Sequence, residues 1–413
     1  MELIYIAGKD PTEETGGHST YVRAHARAAT RLGYAPRIFC VARQDGTIET
    51  DYGTVHRVHS PFRPFRPIAM PLHEPFMRRA ILRYLAGQNE SVLIHGFGFW
   101  SYIGATTARE IRRGHGVCRT VTSQYTAIVD ESAGKWEGIN QAHPLRLRFR
   151  HGIEYLWAKL ILAGYERRLL RQTDFLLTNY LAVERRIQEA QGSEFRLRKV
   201  PYASEQSFMA DTDEPPIPGI EPGIPLIVSV SRQDPRKGVD VLIRALAELR
   251  SRGAAFRAIL VGGGPLLESH RRLVDRLGLS DCTQVAGWVD DSYEYLQRAE
   301  IFVLPSIQEG SGSVSLLEAM QAGVACVASR IDGIPEDVID GESALLFEAG
   351  QVEELAAILE RLVRAPELRQ RLGRAARQAY EQNFSAARLM EALQDIYTQL
   401  PRKPREFSSF LFS

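Results

Sequence analysis

Three cationic side chains follow an apolar run in the stretch 226–246, at Arg232, Arg236 and Lys237. Gly238 and a helical pattern come next, so these cations are expected just beyond the carboxyl end of a strand. Arginine as a fork and lysine as a point charge together suit a diphosphate. The same spacing is equally typical of a solvated loop, and the residues alone leave both interpretations open.

Two glutamates flank a glycine- and serine-rich loop in the stretch 301–323. An apolar run ends at Pro305-Ser306, Glu309 precedes the loop, and Glu318 lies in the helical pattern after it. The loop consists of Gly310, Ser311, Gly312, Ser313 and Val314. Backbone N–H groups of such a loop can bind an anion, while the carboxylates could accept hydrogen bonds from sugar hydroxyls. Ser315 to Glu318 is also a capping-box pattern, which is a structural alternative for Glu318.

Other glycine turns follow the remaining apolar runs. Gly16-Gly17 stands between the run Leu3–Ala7 and a helical pattern, where free N–H groups could bind a phosphate or the glycines could simply make the turn. The stretches Gly262-Gly263-Gly264-Pro265 and Gly287-Trp288-Val289 each follow a predicted strand. The Gly16-Gly17 stretch is not a dinucleotide fingerprint, since its glycine spacing differs and no acidic residue ends the next strand, so NAD binding is disfavoured.

His95 stands at the end of the apolar run 91–94 and is followed by Gly96-Phe97-Gly98. A histidine after a buried strand is more often structural than catalytic. The neighbouring glycines nevertheless predict an accessible position, so a role at the site is the alternative.

Short apolar runs alternate with helical patterns throughout the chain, which predicts an α/β fold with parallel sheets. The pattern occurs twice, on either side of the proline-rich stretch 211–225. We therefore predict two Rossmann-like domains that face each other across a cleft, in 1–210 and 226–385, with 211–225 as the linker. A final helix and tail fill 386–413.

The net charge of +1 for 413 residues hides an asymmetry, because residues 1–205 carry +9 and residues 206–413 carry −8. No apolar stretch is long enough for a membrane span, and the N-terminus lacks a signal-peptide pattern. The four cysteines are far apart and form no CxxC pair, so reduced thiols are expected. These features predict a cytoplasmic protein. Nucleic-acid binding is disfavoured because no known motif accompanies the basic residues.

Taken in order, these motifs resemble those of retaining glycosyltransferases of the GT-B fold, family 4. The resemblance rests on Gly16-Gly17, Arg232, Lys237-Gly238, Gly262–Pro265, Pro305-Ser306, Glu309, Glu318, Gly333–Glu336 and Asp340-Gly341. It departs from the family pattern in several respects. Eight residues separate Glu309 from Glu318 where the family usually has seven. The family often has two histidines where this chain has His95 and Phe97, a later histidine where it has Thr122-Ser123-Gln124, and asparagine-glycine where it has Pro201-Tyr202-Ala203-Ser204.

The resemblance implies a role for each site residue. Arg232 and Lys237 would stabilise the leaving nucleotide, Glu309 would bind donor-sugar hydroxyls, and Glu318 would bind the ribose. The amides of Gly312 to Val314 would lie near sugar or phosphate, and Gly16-Gly17 would approach the phosphate from the opposite domain. Gly287–Val289 would contact the base through backbone groups, and His95 would lie near the reacting carbon on the acceptor side. The C-terminal helix would cross back onto the N-terminal domain.

The implied activity is metal-independent transfer of a hexose from a nucleotide sugar, most simply a UDP-sugar, to a hydroxyl of a glycan, a lipid-linked or a small-molecule acceptor. No cofactor is expected. The alternatives are an epimerase or glycan phosphorylase of the same architecture, and a non-catalytic nucleotide-sugar-binding protein.

The segment 143–171 holds seven lysines and arginines interleaved with apolar residues, and 61–83 adds five arginines. Two interpretations stay open here. The segment is either a solvated helix face, or a peripheral contact with an anionic membrane at its inner face.

Overall fold

The computed structural model describes residues 1–13, 17–63, 69–88, 90–137, 145–203, 223–289 and 291–399. The chain divides into two compact units. The first comprises the described residues of Met1–Val129, Leu156–Glu205 and Ala386–Ser413, and the second those of Asp130–Tyr155 and Gln206–Ser385. Of the linker predicted at 211–225, only residues 223–225 lie within the described part of the chain.

The first unit is built on an eight-stranded sheet in the order β3-β4-β2-β1-β5-β6-β7-β8. All neighbouring strands are parallel except β3 and β4, which are antiparallel. Isoleucine and other apolar side chains of the central strands are fully buried, as expected for strands covered on both faces. The strands are β1 (Glu2–Ala7), β2 (Arg37–Ala42), β3 (Gly46–Thr50), β4 (Gly53–His59), β5 (Val92–Phe97), β6 (Cys118–Ser123), β7 (Phe175–Thr178) and β8 (Arg198–Lys199).

The second unit is built on a six-stranded, entirely parallel sheet in the order β11-β10-β9-β12-β13-β14. Its core is a continuous cluster of buried valine, isoleucine and leucine side chains from the strands and the helices that connect them. The strands are β9 (Leu226–Val230), β10 (Arg257–Val261), β11 (Thr283–Gly287), β12 (Ile301–Leu304), β13 (Ala325–Ser329) and β14 (Leu345–Phe347).

Helices connect the strands of both sheets. In chain order they are α1 (Gly17–Arg31), α2 (Met70–Leu85), α3 (Ser101–Arg113), α4 (Ile128–Glu137), α5 (Leu145–Trp157), α6 (Ala163–Gln172), α7 (Leu181–Gln191), α8 (Val239–Ser251), α9 (Leu267–Arg276), α10 (Tyr293–Arg298), α11 (Val314–Ala322), α12 (Ile334–Asp337), α13 (Val352–Arg364), α14 (Pro366–Asn383) and α15 (Ala386–Gln399). A π-helical segment, Ala158–Leu162, joins α5 to α6. Within the described residues, no helix has the length and apolar character needed to cross a membrane.

The last helix is part of the first unit. Helix α15 packs on α1, and its side chains Leu389, Leu393 and Ile396 are buried. The described residues of Asp130–Tyr155, by contrast, group with the second unit although they precede the predicted domain boundary. The amide of Gln308 donates to the carbonyl of Asp130 at 3.3 Å, a long-range contact that no local sequence pattern reveals.

The parallel, doubly wound architecture is the predicted one. Strands β3, β4 and β8 were not predicted from the sequence. Strand β3 holds one apolar side chain, Ile48, and β4 separates Val55 from Val58 by two polar residues, so neither has the continuous apolar run that marks the buried strands. None of the four cysteines, all within the described residues, forms a disulfide.

Candidate functional site

The order of the six strands in the second unit places a topological switch between β9 and β12. From β9 the chain winds outward to β10 and β11, and from β12 it winds in the other direction to β13 and β14. Ligands of such sheets bind outside the carboxyl ends of the strands at this switch. Arg232 and Lys237 follow β9, and Ser306 and Glu309 follow β12, so the predicted cations and carboxylate meet at this edge.

Lys237 and Glu309 form the central contact of this edge. The Nζ atom of Lys237 lies 2.6 Å from Oε2 of Glu309, although 72 residues separate them in the chain. Ser306 donates its hydroxyl to the other carboxylate oxygen at 2.5 Å. The side chains of Lys237 and Glu309 are only 16% and 4% exposed. Glu309 is therefore held in one orientation by two partners.

The two loops are also joined through their backbones. The amides of Ile307 and Gln308 both donate to the carbonyl of Arg236, at 2.7 and 3.1 Å. Gly238 has a φ of +56°, and a Cβ atom there would lie 2.1 Å from the carbonyl oxygen of Pro305. Only glycine permits this backbone approach, which explains why it follows Lys237.

Arg232 lies apart from the buried pair and is 68% exposed, with its Nε atom 3.9 Å from Oδ2 of Asp234. The loop that carries it is anchored on the neighbouring strand connection, because the amide of Gln233 donates to the carbonyl of Gly263 at 3.0 Å. The side chain of Gln233 is buried and bonded to His270 at 2.6 Å. A rigid backbone therefore presents an exposed guanidinium.

The turn after β11 adds an exposed aromatic surface. The amide of Gly262 donates to the carbonyl of Gly287 at 2.7 Å, which holds the turns after β10 and β11 together. A Cβ atom at Gly263 would lie 3.6 Å from Cβ of Trp288. Trp288 itself is 63% exposed, and Val289 is half-buried. An exposed indole at a strand end can stack on a planar ring. Only backbone contacts were predicted for this turn, so a role for the indole side chain was not predicted.

The loop from Gly310 to Val314 ends in the N-terminus of α11. Ser313 is the residue before the first turn, and its hydroxyl lies 3.1 Å from that of Ser315. The capping-box interpretation is therefore wrong, since Ser315 stands inside the helix. Glu318 lies on α11 and is half-buried. Gly312 is also half-buried, and the carbonyl of Ser311 accepts from Gly333 at 2.9 Å.

Asp332 holds the start of this loop. Its Oδ2 atom accepts from the amides of Glu309 and Gly310, at 2.7 and 2.6 Å. Asp332 adopts a φ of +50°, a conformation that few residues other than glycine, asparagine and aspartate adopt. Asp332 was not predicted as a site residue, because an aspartate before Gly333 carries no signal of a contact 23 positions away.

The first unit has its own switch point between β1 and β5. Gly16 lies outside the described residues, and Gly17 is the exposed first residue of α1. His18 follows, with Nδ1 hydrogen-bonded to the hydroxyl of Tyr125 and Nε2 accepting from the amide of Gly8 at 3.3 Å. His18 and Tyr125 were not predicted as site residues, although the position of His18 directly after two glycines was a usable signal.

His95 does not occupy the accessible position that the sequence predicted. Strand β5 continues to Phe97, so His95 lies inside the sheet and is fully buried. Its Nδ1 lies 2.7 Å from the hydroxyl of Tyr397 and its Nε2 lies 2.7 Å from the hydroxyl of Ser123. Burial lowers the pKa of His95 well below its usual value, and a charged His25 would lower it further. Both ring nitrogens are therefore engaged by hydroxyl groups buried within the first unit.

In the comparison with known protein families, the match lies in the second half of the chain. Residues 211–379 match the family described as "Glycosyl transferases group 1". The matched region, which is less than half of the chain, includes Arg232, Lys237, Glu309 and Glu318, so the candidate site lies within it.

A curated relative matches part of the chain. The chain is 33% identical over 181 residues to the GDP-mannose-dependent alpha-(1-6)-phosphatidylinositol monomannoside mannosyltransferase of Mycolicibacterium smegmatis, covering 41% of this chain and 47% of the relative. The chain thus spans about half the length of the curated relatives that it matches.

The whole chain shares the GT-B fold of solved structures. The sucrose-phosphate synthase of Thermosynechococcus elongatus superposes with a TM-score of 0.73 at 21% identity, over 97% of this chain and 99% of that one. Anabaena Alr3699/HepE in complex with UDP gives 0.68 at 16% identity, over 97% and 100%. The region 211–379 that matches the family falls within the second unit.

Proposed function

We propose that this chain is a retaining glycosyltransferase that transfers a hexose from a nucleotide-diphosphate sugar, a UDP-sugar, to the hydroxyl of an acceptor. The observation that carries the proposal is the contact between Lys237 and Glu309 at the switch point of the second sheet, beside the exposed Arg232. This arrangement sets cations for a diphosphate next to a carboxylate for sugar hydroxyls. The named activities of similar proteins support the same reaction class, since one is a mannosyltransferase and another binds UDP.

The electrostatic role divides between two cations. The ammonium of Lys237 has three donors, of which one serves Glu309, so it can also donate to a phosphate oxygen. Arg232 is exposed and can pair its planar fork with two oxygens of the same diphosphate. Together they would stabilise the charge that grows as the nucleotide leaves, and a metal ion is then not required for that purpose.

The proposed transfer is a front-face displacement at the anomeric carbon of the donor sugar. The bond between the anomeric carbon and the diphosphate oxygen breaks, and the acceptor hydroxyl forms its new bond to that carbon on the same face. The hydroxyl proton passes to the departing phosphate oxygen. Glu309 would hold a sugar hydroxyl during this step, because Ser306 and Lys237 fix its carboxylate. Retention follows from the shared face of attack and departure.

Replacing Arg232 or Lys237 by alanine tests the proposal. Loss of one preorganised electrostatic partner of the leaving group should lower kcat by about 10²–10³-fold. Arg244 lies on α8 and is exposed, so Arg244→Ala is the matched control and should retain the activity of the unchanged protein. Turnover like that of the unchanged protein in both Arg232→Ala and Lys237→Ala would refute the assignment.

A donor screen identifies the nucleotide and separates the alternatives. Thermal stability is measured with UDP, GDP, ADP and dTDP sugars, because a ligand at about 100 times its Kd adds roughly 2.7 kcal/mol. We expect the largest shift with UDP-sugars; a larger shift with GDP-mannose would assign the donor of the mycobacterial relative instead. Incubation of the donor without acceptor then detects an epimerase, and a requirement for inorganic phosphate detects a phosphorylase. A donor that binds but is never consumed with any acceptor indicates a non-catalytic binding protein.

A further inference from the structure

The first unit exposes a helical surface with an unusual composition, at residues 156–171. Four large apolar side chains of this segment face solvent: Leu156 is 54% exposed, Trp157 40%, Leu160 68% and Ile161 39%. Positions 156, 157, 160 and 161 share one side of a helix, so these side chains form a continuous stripe. We call this stripe, together with the basic residues that follow it, the 156–171 surface.

The opposite side of the same segment is anchored in the core. Ala158, Leu162, Leu169 and Leu170 are at most 2% exposed. Ala158 and Leu162 pack into the main apolar cluster of the first unit. The helix cannot turn its apolar stripe inward without removing these residues from the core. The exposure of Leu160 is therefore a fixed property of the folded unit.

The exposed charges of the surface are all positive. Lys159, Arg167, Arg168 and Arg171 are exposed. The one carboxylate of the segment, Glu166, is fully buried, where it accepts from the amide of Gln124 at 2.9 Å and from the backbone of Ile128 at 3.0 Å.

The arginines remain oriented toward the surface. Arg168 lies over the ring of Tyr165 at 5.7 Å, and Arg167 donates to Gln191. The contact of Arg171 with Glu194, 3.5 Å between exposed side chains, is of a kind that contributes little. A ligand with negative charge can therefore engage these residues at low cost.

An apolar stripe with a tryptophan, followed by cations, suits contact with an anionic lipid bilayer. Anionic bilayers accept apolar side chains below the headgroups and attract lysine and arginine at their surface. Tryptophan is preferred at the boundary between the two regions. A second copy of this chain is a poorer partner, since a two-fold contact would set the same cations against each other. We propose that the 156–171 surface binds the first unit to a membrane that contains anionic lipids.

Vesicle sedimentation of the full chain tests the proposal. The probes are phosphatidylcholine vesicles with and without phosphatidylglycerol, at low and high salt. The unchanged protein should sediment only with the anionic vesicles, and less so as salt rises. Leu156→Ser combined with Leu160→Ser should reduce the partition coefficient at least tenfold, because each leucine loses its apolar transfer energy.

The charge of the surface has its own variant and control. Arg168→Gln combined with Arg171→Gln should reduce binding roughly 30-fold at low salt and flatten the salt dependence. Ile339 is 61% exposed in the second unit, so Ile339→Ser is the matched control and should bind like the unchanged protein.

Four outcomes would overturn the proposal. These are no sedimentation of the unchanged protein with anionic vesicles, equal binding of the leucine variant, equal loss in Ile339→Ser, or a dimer in gel filtration that Leu160→Ser dissolves. The substitutions lie on the exposed face, so melting temperatures should stay within a few degrees of the original. Because vesicle binding is read without any donor, its result is independent of glycosyl transfer.

Discussion

Lys237 and Glu309 lie 2.6 Å apart, on loops that follow two adjacent strands of one sheet, and the rest of the site is arranged around this pair. Each neutralises the other in a largely buried position. Removing one partner leaves a buried charge, whereas removing both does not. The pair is therefore a structural unit as well as part of the proposed site.

The first prediction concerns this unit. Lys237→Met and Glu309→Gln should each lower the free energy of unfolding by about 3–5 kcal/mol, and the double variant should recover part of that loss. For activity, each single change should lower kcat by about 10²–10³-fold and the double change hardly further, since residues that act together are not additive. Urea unfolding and nucleotide release measure the two effects. Strictly additive losses in both would show that the two side chains act independently.

The second prediction concerns the glycine beside Lys237. Gly238→Ala places a Cβ atom against the carbonyl of Pro305, whereas Gly278 has a similar φ of +67° and nothing within 4 Å. Gly278→Ala should cost about 1–2 kcal/mol of stability. Gly238→Ala should cost roughly 1–3 kcal/mol more, because the loop must move. It should also reduce kcat by displacing Lys237. Equal stability and activity of the two variants would contradict the close approach.

The third prediction concerns Asp332, a positioning residue for the Glu309 loop. Asp332→Ala removes the acceptor of two amides and should raise the donor KM, lowering kcat/KM by about 10–100-fold. Asp332→Asn keeps an acceptor oxygen and tolerates the positive φ, so it should recover most of the activity. Steady-state kinetics with donor varied is the measurement. An asparagine variant as defective as the alanine variant would require a different role for the carboxylate.

The fourth prediction concerns acid pH. Burial lowers the pKa of His25 to about 3, while an unfolded histidine titrates near 6.5. Between these values the unfolded chain binds the proton and the native protein does not, so stability falls as pH falls below about 6.5. At pH 5 the loss from His25 is about 2 kcal/mol. Urea unfolding at pH 7 and pH 5 should show this loss, and His25→Asn should reduce it; an unchanged pH dependence in that variant would exclude His25 as the cause.

The sequence best predicted those features that depend on residues close together in the chain. Continuous apolar runs marked the buried parallel strands, and glycine turns marked the strand ends of the second unit. The hairpin β3–β4 was not predicted because polar residues interrupt its apolar positions. The contact of Lys237 with Glu309 was not predicted, because topology and not spacing brings these two residues together.

His95 shows a different limit. An apolar run that ends in a histidine and glycines looks like a strand end from the sequence, yet the backbone of Gly96 and Phe97 continues to pair with β6. The partner that explains the histidine, Tyr397, stands 302 residues later. Nothing near residue 95 in the sequence carries that information.

The contribution of α15 to the first unit has a consequence for synthesis on the ribosome. The hydroxyl of Tyr5, in a central strand, lies 2.9 Å from that of Tyr397, so the first and last elements of the chain complete one core. Domains generally fold in the order in which they emerge, but here the unit that begins first cannot close until residues 386–399 have been translated. The face of α1 that packs against α15 must therefore stay uncovered while the ribosome synthesises the whole second unit. A ribosome that stalls before residue 386 therefore yields a protein whose second unit can be complete while its first unit lacks α15.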